Sequence, residues 1–122
     1  MNIKKHIVIL SPGFAESEQD STTIPALQIF IESLKKLNPH FIIQIIAFQY
    51  PYKSQAYHWK GLVVHPLNGR NSKLKKPFLW RKAWLKLKEI NREKPIDILH
   101  SFGLVNVLGL EKYLHQNITS NL

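Results

Sequence analysis

The groups with chemistry to offer in this 122-residue chain are six histidines, eight carboxylates and seventeen lysines or arginines. Cysteine is absent, which excludes a disulfide framework, a thiolate metal site and a cysteine nucleophile. No histidine falls in an H-E-x-x-H or H-x3-H pattern, so the helix-borne zinc sets find no match, and neither a metal nor a cofactor is expected. The most unusual stretch is LSPGFAESEQDSTTIPALQIF, residues 10–30, where Glu16, Glu18, Gln19 and Asp20 crowd together in an otherwise basic protein. It contains neither G-x-G-x-x-G nor G-x4-G-K-[ST], so the dinucleotide and P-loop readings fail. Its candidate ligand groups are Pro12, Gly13, Phe14, Asp20, Ser21 and Thr22. A second candidate cluster is His100, Ser101 and Phe102. His100 could bond a sugar hydroxyl or a phosphate, or only cap local backbone. Asp20 and Ser21 could equally be turn and helix-cap residues.

The elements that must position these groups follow from periodicity. His6–Leu10 (HIVIL) is a short apolar, β-branched run stopped by Ser-Pro-Gly, the pattern of a strand buried on both faces. Pro25 suits the first turn of a helix that Ser21, Thr22 or Thr23 can cap. Leu27, Phe30, Ile31, Leu34 and Leu37 form its apolar stripe, and Asn38-Pro39 ends it. FIIQIIAF, 41–48, is a second buried strand, and GLVVHP, 61–66, a short third. A second amphipathic helix is predicted over about 79–93, with Trp80, Ala83, Trp84, Leu87 and Ile90 inward. IDILH, 96–100, is a further strand, and the apolar stretch 104–114 reads as helix. The β-α-β-β-α-β-α alternation predicts an α/β fold: a Rossmann-like, three-layer α/β/α domain with a mainly parallel sheet and right-handed crossovers. In such a sheet ligands lie beyond the carboxyl ends of the strands, which brings 12–23 and 100–103 to one rim.

The order of these segments carries a resemblance. The strand and its S-P-G-F loop, the helix D-S-T-T-I-P-A-L-Q-I-F-I-E-S-L-K-K-L, then I-I-A-F-Q-Y-P-Y and P-I-D-I-L-H-S-F-G-L together resemble the N-terminal domain of the GT-B fold glycosyltransferases of family 4. The similarity runs from Lys5 to about Leu114. It implies half of a two-domain retaining enzyme that moves a sugar from a nucleotide-sugar donor to a glycan or lipid-linked acceptor. The N-terminal half would shape the acceptor site, and the nucleotide sugar would be held mainly by a C-terminal half. Where family members place a Gly-Gly pair against the donor phosphates, this chain has Asp20-Ser21, which implies a hydroxyl-bearing ligand at that loop. The family's E-x7-E pair does not occur in this sequence. The resemblance therefore implies a truncated, acceptor-side domain with no catalytic residue of its own, inactive alone.

The net charge is +9, and ten Lys or Arg against two Glu between positions 70 and 94 account for nearly all of it. Lys73, Lys75, Lys76, Arg81 and Lys82, interleaved with Phe78, Leu79, Trp80 and Trp84, suit the surface of an anionic membrane. Nucleic acid is the less favoured partner, because no recognised nucleic-acid motif accompanies the charge, and a solvated helix face is the plain reading. The alternative function is thus a non-catalytic basic module docking to membrane or nucleic acid. No apolar run is long enough to span a bilayer, and MNIKKHIVIL lacks the apolar core of a signal peptide. The expected location is cytoplasmic, peripheral to the inner face of the cell membrane.

Overall fold

A computed structural model describes residues 5–69 and 76–101, with Lys76, Pro77 and Trp80 described by backbone alone. The chain forms a mixed α/β fold of five strands and two helices in the order β1 (His6–Gly13), α1 (Pro25–Leu37), β2 (Ile42–Tyr50), β3 (Tyr57–Trp59), β4 (Leu62–Pro66), α2 (Lys76–Glu93) and β5 (Ile98–Ser101). The sheet order is β3-β4-β2-β1-β5. β1 pairs in parallel with both β2 and β5, and β2 in parallel with β4. Strands are thus added on one side of β1 up to β4, and β5 then returns to its other side.

Alternate residues of β1 feed two separate cores, as the period of two requires. Val8 and Leu10 pack with Ile46 and Phe48 against Leu79, Ala83, Leu87 and Ile90 of α2. Ile7 and Ile9 pack with Ile43 and Ile45 against Leu27 and Ile31 of α1. Each such fully buried aliphatic side chain contributes about 1.5–3 kcal/mol of transfer free energy. This is why the continuous apolar runs of β1 and β2 cannot be read as one-sided strands.

Several expectations are corrected. β1 does not stop at Ser11 but continues to Gly13 through a register shift. Pro12 has no N–H for a ladder bond, and a bulge is where a strand tolerates it. An additional strand, β3, pairs antiparallel with β4. The two-residue turn between them holds Lys60 at φ 46° and Gly61 at φ 83°, the left-handed pair that tight hairpins demand. Three residues, Tyr57-His58-Trp59, are too few to show periodicity in the sequence. α2 begins at Lys76 rather than near Leu79. On α1, Phe30 and Leu37 are exposed, and the polar Gln28 is buried instead. The predicted helix over 104–114 lies outside the described residues.

Candidate functional site

The rim at the carboxyl ends of β1, β2 and β5 is built first by backbone. At the β1 bulge the Ser11 hydroxyl donates to the Gly13 carbonyl at 2.6 Å. A Cβ on Gly13 would stand 3.3 Å from the Tyr50 carbonyl oxygen, a close approach that glycine eases. The Phe14 N–H donates to that same carbonyl at 3.0 Å. Phe14 itself is wholly buried, edge-on to Trp59 with ring centroids 4.8 Å apart. Ala15 is buried beside it, and its carbonyl accepts from the Tyr57 hydroxyl at 2.6 Å. Of the candidate ligand residues, Phe14 is therefore core and unavailable to a ligand. The short strand β3 supplies the rings that cover it.

Asp20 organises the rest of the loop. One carboxylate oxygen accepts from the Thr22 and Thr23 amides, each at 3.2 Å, and from the Thr22 hydroxyl at 3.0 Å. The other accepts from the Thr23 hydroxyl at 2.7 Å and the Glu16 amide at 3.2 Å. Five donors exceed the roughly four lone-pair sites of a carboxylate. The Thr23 hydroxyl above all, with the Glu16 and Thr22 donors behind it, holds the acid at about 2, below its ordinary 3.8. Asp20 is thus committed to its own loop. Its charge also lies just ahead of the amino end of α1, where a bound phosphate would otherwise gain from the helix dipole.

The expected hydroxyl caps from Ser21, Thr22 or Thr23 are not made. The residue preceding α1 is Ile24, at φ 48°, with no side-chain cap. Gln28, one turn into α1, instead donates its amide to the carbonyls of Thr23 at 2.7 Å and Asp20 at 3.1 Å. That explains a buried glutamine on an apolar face.

The other acids of the loop are also spent within the chain. Glu16 accepts from the Tyr50 hydroxyl at 3.2 Å, and Lys53 reaches the Glu16 carbonyl at 3.1 Å. Glu18 accepts from the Lys60 amide at 2.7 Å, while the Lys60 ammonium pairs with Glu32 of α1. Burial first, then the Glu16 charge, pushes the Tyr50 phenol up, so it stays protonated and donates. Facing outward beside the exposed Glu16, Glu18 and Gln19 are the exposed Ser21, the lone pairs of the Thr22 and Tyr50 oxygens, and the half-exposed Tyr52 ring, edge-on to Tyr50 at 5.7 Å.

At β5, His100 pairs with Ile9 and Ser101 with Leu10, which sends their side chains to opposite faces. His100 lies on the α1 side, stacked on Phe30 with centroids 6.0 Å apart and rings inclined by 27°. Among the described residues its ring makes no hydrogen bond. The Ser101 hydroxyl oxygen is buried on the α2 side without a partner among the described residues. The two were expected to act together, and only His100 shares a side of the sheet with the loop leading into α1. Phe102, Lys73 and Lys75 lie outside the described residues. Lys76 opens α2, and Arg81 and Lys82 are exposed on it.

One polar constellation went unnoticed in the sequence, although a lone glutamine inside FIIQIIAF was its signal. The His6 Nδ1 lies 3.0 and 3.2 Å from the carbonyls of Lys94 and Pro95, so it must donate. In the neutral ring its Nε2 then accepts from the Gln44 amide at 2.9 Å, leaving the Gln44 carbonyl to accept from His65 Nε2 at 2.6 Å. Backbone carbonyls thereby fix both imidazole tautomers through three side chains. The string runs through the core on the α2 side, joining β1, β2 and β4. Burial, and then the nearby Lys86 charge, pushes His65 down to about 4.

Among the described residues no group of three or more histidines or carboxylates is placed to hold a metal ion, and no helix is long and apolar enough to cross a membrane. No protein-family model matches the chain, and no curated protein or solved structure is significantly similar to it.

Proposed function

We propose that this chain is the acceptor-side, Rossmann-like half of a retaining glycosyltransferase of the GT-B kind, with helices on both faces of the sheet. The observation that carries the reading is the rim where strand order turns back at β1. There the loop 14–24 leaves the carboxyl end of β1, the strand that β5 pairs with, and the carboxyl ends of such strands are where open parallel sheets receive ligands. The rim turns outward hydroxyls, an imidazole and tyrosine rings; Asp20 is saturated by its own loop, while the exposed Glu16 and Glu18 accept one hydrogen bond each and would repel an anion. Such a surface suits a neutral, polyhydroxylated ligand. A sugar offers hydroxyls to Ser21, Thr22 and His100 and an apolar ring face to Tyr52. Asp20, expected to accept from the sugar itself, instead holds the wall of the site in shape.

The test is amide chemical-shift mapping of the full chain with oligosaccharides and, separately, with UDP-glucose and GDP-mannose. Oligosaccharides should move the amides of 13–23 and of Ser101 at millimolar concentration, and nucleotide sugars should bind weakly. Micromolar nucleotide-sugar binding, or saccharide shifts confined to other surfaces, overturns the proposal.

A second reading has one specific support. On α2, Phe78 and Leu85 are 70% and 47% exposed, seven residues apart and flanked by the exposed Arg81, Lys82 and Lys88. Apolar tips within a basic field suit an anionic bilayer at about 1 kcal/mol per basic residue. Flotation with phosphatidylglycerol vesicles, abolished in a Phe78→Ser, Leu85→Ser double variant, would support it. Oligonucleotide binding in place of vesicle binding would refute it.

A further inference from the structure

Between the end of β4 and the flank of α2 lies a groove of about 280 Å³, away from the loops after β1 and β5. Its floor is Pro66, Leu67 and Asn68; α2 supplies Lys82, Lys86 and Glu89. The floor is held firmly. The Leu67 amide donates to the Ala47 carbonyl and the Gly69 amide to the Phe48 carbonyl, both at 2.8 Å. Asn68 sits between them at φ 55°, and its side-chain oxygen is buried without a hydrogen-bond partner among the described residues.

The two lysines stand one helical turn apart, so they share a face of α2. Among the described residues Lys82 reaches the Leu67 carbonyl, at 3.5 Å, and Lys86 reaches Glu89, also at 3.5 Å. Both contacts are long, leaving most of the ammonium donors to solvent. Among the described residues the cations lining the groove are lysines, which lack the planar fork that matches a carboxylate. Point charges on flexible stems suit a tetrahedral oxyanion.

We propose that this groove binds a phosphate group carried by a small molecule or a lipid headgroup, with Lys82 and Lys86 taking the charge. Glu89 holds Lys86 in the unliganded chain and opposes binding. The site is independent of the sugar-binding reading, since it shares no residue with the loops after β1 and β5.

Inorganic phosphate and glycerol 3-phosphate, titrated separately into the labelled full chain, provide the test. Either should move the amides of Leu67, Asn68 and Gly69 and the side-chain signals of Lys82 and Lys86, with a dissociation constant on the order of 1 mM. Phosphatidylglycerol vesicles that compete with glycerol 3-phosphate for those shifts would assign the source to a headgroup; no competition would assign it to a soluble phosphate. Lys82→Gln and Lys86→Gln should each weaken binding about tenfold, and Glu89→Gln should tighten it about threefold. Equal shifts from sodium chloride at matched ionic strength overturn the proposal, as does phosphate binding unchanged in the Lys82→Gln, Lys86→Gln double variant.

Discussion

Replacing Asp20 with alanine separates a loop-building carboxylate from a ligand-binding one. The substitution removes the acceptor of five hydrogen bonds, from the Glu16, Thr22 and Thr23 amides and the two threonine hydroxyls. Three of the five donors belong to the exposed Glu16 and Thr22 and are rehydrated rather than orphaned, so the sum of five bond energies is not lost. The closest measured analogue is loss of a helix-capping side chain, worth about 1 kcal/mol. In a domain of this size that lowers the melting midpoint by about 4 °C. The pH dependence fixes the mechanism. The folded acid titrates near 2, below its ordinary 3.8. Its stabilisation is therefore complete above pH 4 and fades as pH falls from 4 toward 2. Urea denaturation of both proteins at pH 7 and at pH 3 gives the assay: the gap between wild type and variant should narrow at the lower pH. The amides of Thr22 and Thr23 should also lose their present shifts while β1 and β2 are unaffected. A variant as stable as wild type, with those amides unmoved, would refute the assignment of Asp20 as organiser of the loop.

Two further outcomes follow from packing and from the buried string. A Cβ at position 69 would lie 2.5 Å from both terminal carbons of Leu79 and 2.7 Å from the Phe48 carbonyl oxygen. Gly69→Ala should therefore cost about 2–3 kcal/mol by calorimetry. Gly61→Ala meets no atom within 4 Å and should cost only the roughly 1 kcal/mol of its positive φ; equal costs would contradict the packing. His65 titrates near 4 when folded and near 6.5 when unfolded. The unfolded chain thus binds more protons across that window, and stability must fall as pH drops through it. For this partly exposed ring, solvent screening limits the effect to about 1 kcal/mol between pH 7 and 5. His65→Gln, which keeps a donor for Gln44, should remove that slope from urea denaturation curves.

The sequence by itself determined the backbone plan, because β1, β2 and the buried stripe of α2 are written as continuous or 3.6-spaced apolar residues. Pro25 and Asn38-Pro39 likewise marked the ends of α1 by local sterics alone. What local pattern could not supply was any contact between residues far apart in the chain. β3 is too short for a period and exists because Tyr57 and Trp59 cover Ala15 and Phe14, more than forty residues earlier. Phe30 obeys the helical spacing of a core residue, yet it faces outward because Gln28 turns inward to hold Asp20 and Thr23. The acidic loop looked like a ligand site in one dimension. In three dimensions Asp20 is saturated by Thr22, Thr23 and the Glu16 amide, and Glu16 and Glu18 are engaged by Tyr50 and Lys60. Charge and periodicity are properties of a segment, but the saturation of a hydrogen-bonding group depends on what the fold brings to it, and only the tertiary structure decides that.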